Sequence, residues 1–376
     1  MKRCKALCIW VVLSLILSGC WDETQIAEAN YATAIGVDYV DDNYVLYVQM
    51  LDFSNVAKQD NNKQSDDPPL FIGKSSGRTF HEAINNLYKT SQEPFHWGQI
   101  GAIIYSEAVL ENGIDKVQQA IQRNGEFRYT PWMFGTKESI RKVLGVSGFF
   151  HLPPIYTILY SPKDSYNVHS FIRPLRMHKF ISINNDPGGS VTLPSIAIDD
   201  SSWKELANGE KPKDTLKING GFHISESTYV GWMSFDDLQG LRWIESSTQV
   251  TPVKIIEDGK NLGIIEINNP SINIQQIGKG TEVTFHLKIR AKGKLAGLTT
   301  DLPQAKIEKL AEKQIKEDIL MTYEKALNKQ IDIYNLKNKL FRNGMKPEHI
   351  KKYELTTESI SKVEVTVHLD SKGMYK

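Results

Sequence analysis

Glu282-Val283-Thr284-Phe285-His286-Leu287-Lys288-Ile289-Arg290 alternates apolar and polar residues without a break. Val283, Phe285, Leu287 and Ile289 fall on one side, and the charged or hydroxylated residues fall on the other. A period of two describes a strand with one face buried and one face wet. Residues 362–369 repeat the pattern, with Val363, Val365, Val367 and Leu369 opposed to Glu364, Thr366 and His368. Between them lies a helical period. Ile307, Leu310, Ala311, Ile315, Ile319, Tyr323, Ala326, Leu327 and Ile331 form one stripe, with Lys309, Glu312, Lys313, Lys316, Glu317 and Lys325 on the charged side. A sheet with one apolar face needs a cover, and this helix, starting near Pro303, supplies it. Residues 253–256 and 262–267 read as further strands of the same sheet.

Upstream, strand and helix alternate. Residues 31–37 and 44–51 read as strands joined by Asp41-Asp42-Asn43. The polar stretch 56–69, ending in Pro68-Pro69, reads as a surface loop. Thr79 with Glu82 predicts a capping box, followed by an apolar face of Phe80, Ala83, Ile84, Leu87 and Tyr88. Residues 100–105 read as a buried strand, and Ser106 should cap a helix that stutters at Asn112-Gly113. Residues 129–135 return as a strand in which Pro131 marks an edge or an irregular segment. Thr136 should cap the next helix, ending at Gly145. Residues 153–180 are read as mostly helical and 191–198 as a strand. The polar segment 199–215, with Gly209 and Pro212, is the expected first domain boundary. Two short strands about Glu226-Ser227 then form a piece too small for its own large core, which should lean on its neighbours.

The first twenty residues decide the compartment. Lys2, Arg3 and Lys5 form a basic tip, and an apolar run of about a dozen residues follows, where a spanning helix needs roughly 20. The run closes on Leu17-Ser18-Gly19-Cys20, which resembles the lipobox of bacterial lipoproteins. The small residues expose the bond to the peptidase, and the Cys20 thiol is the nucleophile toward diacylglycerol. Cleavage would remove Cys4 and Cys8, leaving no free thiol, no disulfide and no cysteine metal site. It would also remove three positive charges and no negative ones, so the formal charge of +1 becomes −2. A near-neutral chain without a polybasic tract offers nothing for nucleic acid, and the lipid alone would hold it to a membrane.

No constellation for catalysis is found. His81-Glu82 continues into Asn85-Asn86 rather than a second histidine, and Gly278-Lys279-Gly280 lacks the third glycine of a dinucleotide loop. The paired acids at Asp41-Asp42, Asp199-Asp200 and Asp236-Asp237 sit in turns or at helix starts. Neither an enzyme, a metal site nor a cofactor is expected.

Four motifs together resemble the C subunits of nutrient germinant receptors of spore-forming Gram-positive bacteria, the Ger(x)C or GerAC-type lipoproteins. They are Gly19-Cys20-Trp21-Asp22 with Ile26, then Gly77-Arg78-Thr79-Phe80 with His96-Trp97-Gly98-Gln99. Next come Gly221-Phe222 with Val230-Gly231-Trp232 and Gly240-Leu241-Arg242-Trp243, and last Lys329-Gln330-Ile331-Asp332-Ile333-Tyr334. Gln25 stands where the family has an acid, and Asn335 where it has glycine. Asn tolerates the left-handed conformation, so the turn should survive. The resemblance implies an α/β (α+β) chain of three domains, each a mixed sheet with packed helices. The expected bounds are a signal peptide at 1–19, an N-terminal domain at 20–205, a middle domain at 206–250 and a C-terminal domain at 251–376. It further implies S-diacylglycerol and N-acyl groups on Cys20, two integral membrane partners (the A and B subunits), and a place on the outer face of the spore inner membrane. It leaves open whether a nutrient ligand binds this subunit. The competing class, a solute-binding lipoprotein of an ABC importer, would need two doubly wound lobes.

Overall fold

The computed structural model describes residues 30–51, 70–206, 209–278, 280 and 282–371. The expected leader, Cys20, Trp21, Asp22 and the whole loop expected at 56–69 lie outside them.

The molecule is mixed α/β and rests on two sheets. The first uses β1 (Asn30–Val40), β2 (Asn43–Leu51), β3 (Leu70–Gly77), β4 (Ala102–Ser106), β5 (Trp132–Thr136), β6 (Ser190–Asp199), β7 (Thr215–Ser225) and β8 (Thr228–Ser234). Their order is β8-β7-β6-β5-β4-β1-β2-β3. The centre, β1, β4, β5 and β6, is parallel, and both flanks are antiparallel. Parallel strands need cover on both faces, and the sequence supplies it. On one face α1 (Phe80–Tyr88), α2 (Glu107–Asn112), α3 (Ile114–Arg123) and α6 (Met177–Asn184) pack on Ile35, Ile103 and Tyr105. On the other, α4 (Ile140–Gly145) packs on Ala34, Ala102 and Ile104. The short helix α5 (Pro162–Val168) lies between α4 and α6 in sequence.

Local signals explain most of these elements. Asp41 and Asp42 take left-handed φ values of 48° and 58° and turn β1 into β2. Thr79 Oγ1 accepts from the Glu82 amide at 3.1 Å, while Glu82 reaches one residue further back than the capping box predicts, to the Arg78 amide at 2.9 Å. Gly113, at φ +102°, splits α2 from α3. Other expectations are corrected, for identifiable reasons. Of the two readings of Pro131, the edge fails and the irregular segment holds: it precedes β5, whose five residues are all buried between β4 and β6. Residues 153–180 are helical only in part: Pro162 opens α5 at its first position, α6 starts at Met177, and the stretch between them, with Pro174, is not helical.

The expected middle domain at 206–250 forms no layer of its own. Asp199 and Thr215 are ladder partners, so the polar segment between them is an excursion from one sheet, carrying the ribbon Lys204–Glu205 with Lys211–Pro212. β7 and β8 continue the first sheet and turn at Glu226-Ser227, both at positive φ. The chain then crosses to the second body through α7 (Leu241–Ile244).

That body is a sheet of β9 (Val250–Glu257), β10 (Lys260–Ile277), β11 (Thr284–Leu298) and β12 (Ile360–Ser371) in sequence order. β11 and β12 are parallel, so they require a long connection. It is made by α8 (Gln304–Leu327), α9 (Leu336–Arg342) and α10 (Pro347–Lys352). Phe285, Leu287 and Ile289 face Ile307, Ala311, Ile315 and Ile319 in one core, as the alternation and the stripe require. The stripe ends earlier than expected: α8 stops at Leu327, and Ile331 packs from the turn beyond. A second doubly wound lobe, which the importer class needs, is not among the described residues.

Gly135 is required by close approach. A Cβ there would stand 2.3 Å from the ring of Phe222, a fully buried residue of β7. Gly135→Ala should lower stability by about 1–3 kcal/mol in urea unfolding, through overpacking. Adding Phe222→Leu should recover part of the loss, and no recovery would mean the contact is not the cause.

Candidate functional site: the joint between the sheets

The two bodies meet on α8. Gly240 fits against it so closely that a Cβ would lie 2.5 Å from the Tyr334 hydroxyl and 2.6 Å from the Asp318 carbonyl oxygen. Its amide donates to Thr322 Oγ1 at 2.8 Å, and that hydroxyl donates to the Asp237 carbonyl at 2.8 Å. Arg242 and Trp243 then enter the second core. Arg242 Nη2 lies 2.9 Å from Asp318 Oδ2, and Trp243 Nε1 donates to the same oxygen at 3.1 Å. Gln314 Nε2 donates to the other oxygen at 2.8 Å. Both charged side chains are less than a tenth exposed. The guanidinium also stacks within 5 Å of the Phe171 and Trp243 ring centroids. Burial lowers the Arg242 pKa, and Asp318 raises it back.

A second tie forms one turn later. Asp332 is buried, and its carboxylate accepts from the Leu336 amide at 2.9 Å and the Lys337 amide at 2.8 Å, the first two donors of α9. Asn335 takes φ +55° and ψ 39°, the left-handed conformation its side chain tolerates. Its Oδ1 accepts from the Ser190 amide at 3.0 Å, where β6 begins. Gly188, in the turn before β6, would bring a Cβ within 2.8 Å of Lys337. Tyr334 donates to the Ile319 carbonyl at 2.7 Å and stacks on Tyr323. Burial pushes the Asp332 carboxyl from 3.8 up to about 6, against the pull of its backbone donors and Lys337.

The motif residues therefore divide. Asp332 and the Gly240–Trp243 turn build the joint. Gly221, Phe222, Gly231 and Trp232 build the far edge of the first sheet instead. Gly221 passes Thr192 with room for no Cβ, and Phe222 covers Gly135. Gly231, at φ +155°, sits where the β7–β8 register shifts. Trp232 lies under Lys137, whose Nζ is 4.3 Å from the ring centroid. His223, between them, is held neutral by burial, with its pKa lowered to about 3. Reading the sequence missed Asp318. Its signal was an acid at stripe spacing, three residues after Ile315 and seven after Ala311. No group of side chains suited to a metal ion occurs among the described residues, and none of their helices is long and apolar enough to cross a membrane.

Beside the joint, β5 and β6 splay. They share the single pair Gly135 with Ser195, and below it the two-residue strand Leu175–Arg176 pairs with β5 instead. The gap is a cleft of 580 Å³ whose walls come from both bodies, with Leu241, Ile333 and Tyr334 among its apolar lining.

The chain is similar to known spore germination proteins. Residues 22–198 match the family described as spore germination protein N-terminal domain, and residues 219–373 match spore germination B3/GerAC like, C-terminal. The chain belongs to this GerAC-type family, the C subunits of germinant receptors. It is 22% identical over 366 residues to spore germination protein KC of Bacillus subtilis, covering 91% of this chain and 88% of that one. Spore germination protein B3 of the same organism is 21% identical over 337 residues, covering 86% and 85%. The crystal structure of the GerBC protein superposes with a TM-score of 0.52 at 16% identity, over 93% of this chain and all of that one. That likeness bears on the fold.

Two measurements check the joint. Asp318→Ala should destabilise the chain by about 3–5 kcal/mol, because it strands a buried guanidinium, whereas Arg242→Met with Asp318→Leu should cost much less. Equal losses in urea unfolding would show the charges to be unpaired. Asp332 should act oppositely to most carboxylates. Its raised pKa adds stability below about pH 4, and this is lost as pH rises through about 6, an effect of about 3 kcal/mol. Asp332→Asn should remove that slope while adding a pH-independent cost for the missing acceptor. An unchanged slope between pH 4 and 7 would contradict the assignment.

Proposed function

We propose that this chain is the lipid-anchored C subunit of a nutrient germinant receptor. It works with two integral membrane subunits, A and B, on the outer face of the spore inner membrane. Cys20 carries the lipid, and the folded body stands outside the bilayer. The observation that carries this reading is the span of the two family matches, 22–198 and 219–373, which together take in nearly everything after the leader. The role is assembly and signal coupling rather than catalysis. A body made of two sheets locked through buried groups suits that role, since it can pass a displacement from one contact surface to another without absorbing it.

Cys20→Ala should leave an unlipidated precursor and should slow germination through the cognate receptor. Labelling with radioactive fatty acid reads the first effect and loss of spore refractility reads the second. Label incorporated as before would refute the anchor. A strain deleted for this chain that germinates normally through its cognate A and B subunits would refute the receptor role.

A further inference from the structure

We propose that the cleft between the two sheets is a binding site for a small organic carboxylate. Among lysine, arginine, aspartate and glutamate, its lining is one-sided. Lys163, Arg173, Arg176 and Lys179 line it with a single acid, Glu245. Lys163 and Lys179 have no carboxylate partner among the described residues. Arg173 does have one, and it shows what the wall selects: its Nη1 lies 3.2 Å from Glu245 Oε1. Arg176 is pre-organised. Its guanidinium carbon lies 3.6 Å from the centroid of the Trp132 ring, and it donates to the Thr130 carbonyl oxygen. A guanidinium has five donors, so donors remain for a ligand.

Volume and floor decide between kinds of anion. At 580 Å³ the cleft is far larger than an inorganic phosphate needs and falls within the range of small-molecule sites. Leu241, Ile333 and Tyr334 offer apolar surface for a carbon skeleton next to the cationic wall. Because its walls come from both bodies, an occupant would touch the first sheet and the joint together. The inference stands apart from the lipid anchor and the membrane partners, and its failure would leave both untouched.

Citrate titrated into the purified full chain in mild detergent, followed by calorimetry, tests it, with sorbitol as the neutral control. Citrate should bind saturably in the sub-millimolar range, and raising salt from about 50 to about 500 mM should weaken it at least tenfold. Lys163→Gln with Lys179→Gln, both exposed and outside the core, should lower the affinity at least tenfold, whereas Lys309→Gln on the outer side of α8 should not. Arg176→Gln should act likewise, with its melting curve checked for folding. Absence of saturable heat, or equal affinity in the Lys163→Gln, Lys179→Gln variant, would overturn the site. Binding of inorganic phosphate but not citrate would overturn the carboxylate assignment.

Discussion

One buried ion pair holds the two halves of this molecule in register. Arg242 arrives from the segment that leaves the first sheet, and Asp318 arrives from the helix that covers the second. Neither charge can be left in a core without the other, so the pair fixes where the segment must dock. Trp243 and Gln314 use the remaining capacity of the carboxylate, and Gly240 lets the backbone come close enough for them to do so. A hydrophobic contact alone would tolerate sliding. A carboxylate with three directed donors does not.

The rest of the joint extends that constraint. Asp332 caps α9, Asn335 hands an acceptor to the first residue of β6, and Tyr334 ties the turn to α8. The first and last are short-range in sequence, and the Asn335–Ser190 bond carries the tie across to the first sheet. Together they turn a sheet with helices on both faces and a sheet with one helical cover into a single core path, in which Met233 of β8 packs with Trp243 and the strands of the second sheet. Such rigidity is what the proposed coupling role would use, because coupling requires that motion at one surface reach another.

Much of this was legible in the sequence where one physical signal dominated. The alternation of 283–289 survives because one face of β11 is wet, and the α8 stripe survives because the other face needs cover. Asn335 was readable as a left-handed turn because it stands where the resembled family has glycine and because Asn tolerates that conformation. What stayed hidden was long-range pairing. The excursion between Asp199 and Thr215 has the composition of a linker, and only the ladder shows that its two ends are neighbours. The cleft was hidden for a similar reason. Its cations come from four separate short pieces, α5, the stretch at Arg173, the two-residue strand at Arg176 and α6, and the splay of β5 from β6 that opens the space has no sequence mark.

Hydrogen exchange of the whole chain measures the central claim most directly, namely that the joint makes the two sheets one cooperative unit. The slowest amides of β4 and β5 in the first sheet and of β10 and β11 in the second should open with the same free energy and the same denaturant dependence. Two distinct opening energies, with one sheet exchanging while the other stays protected, would contradict it.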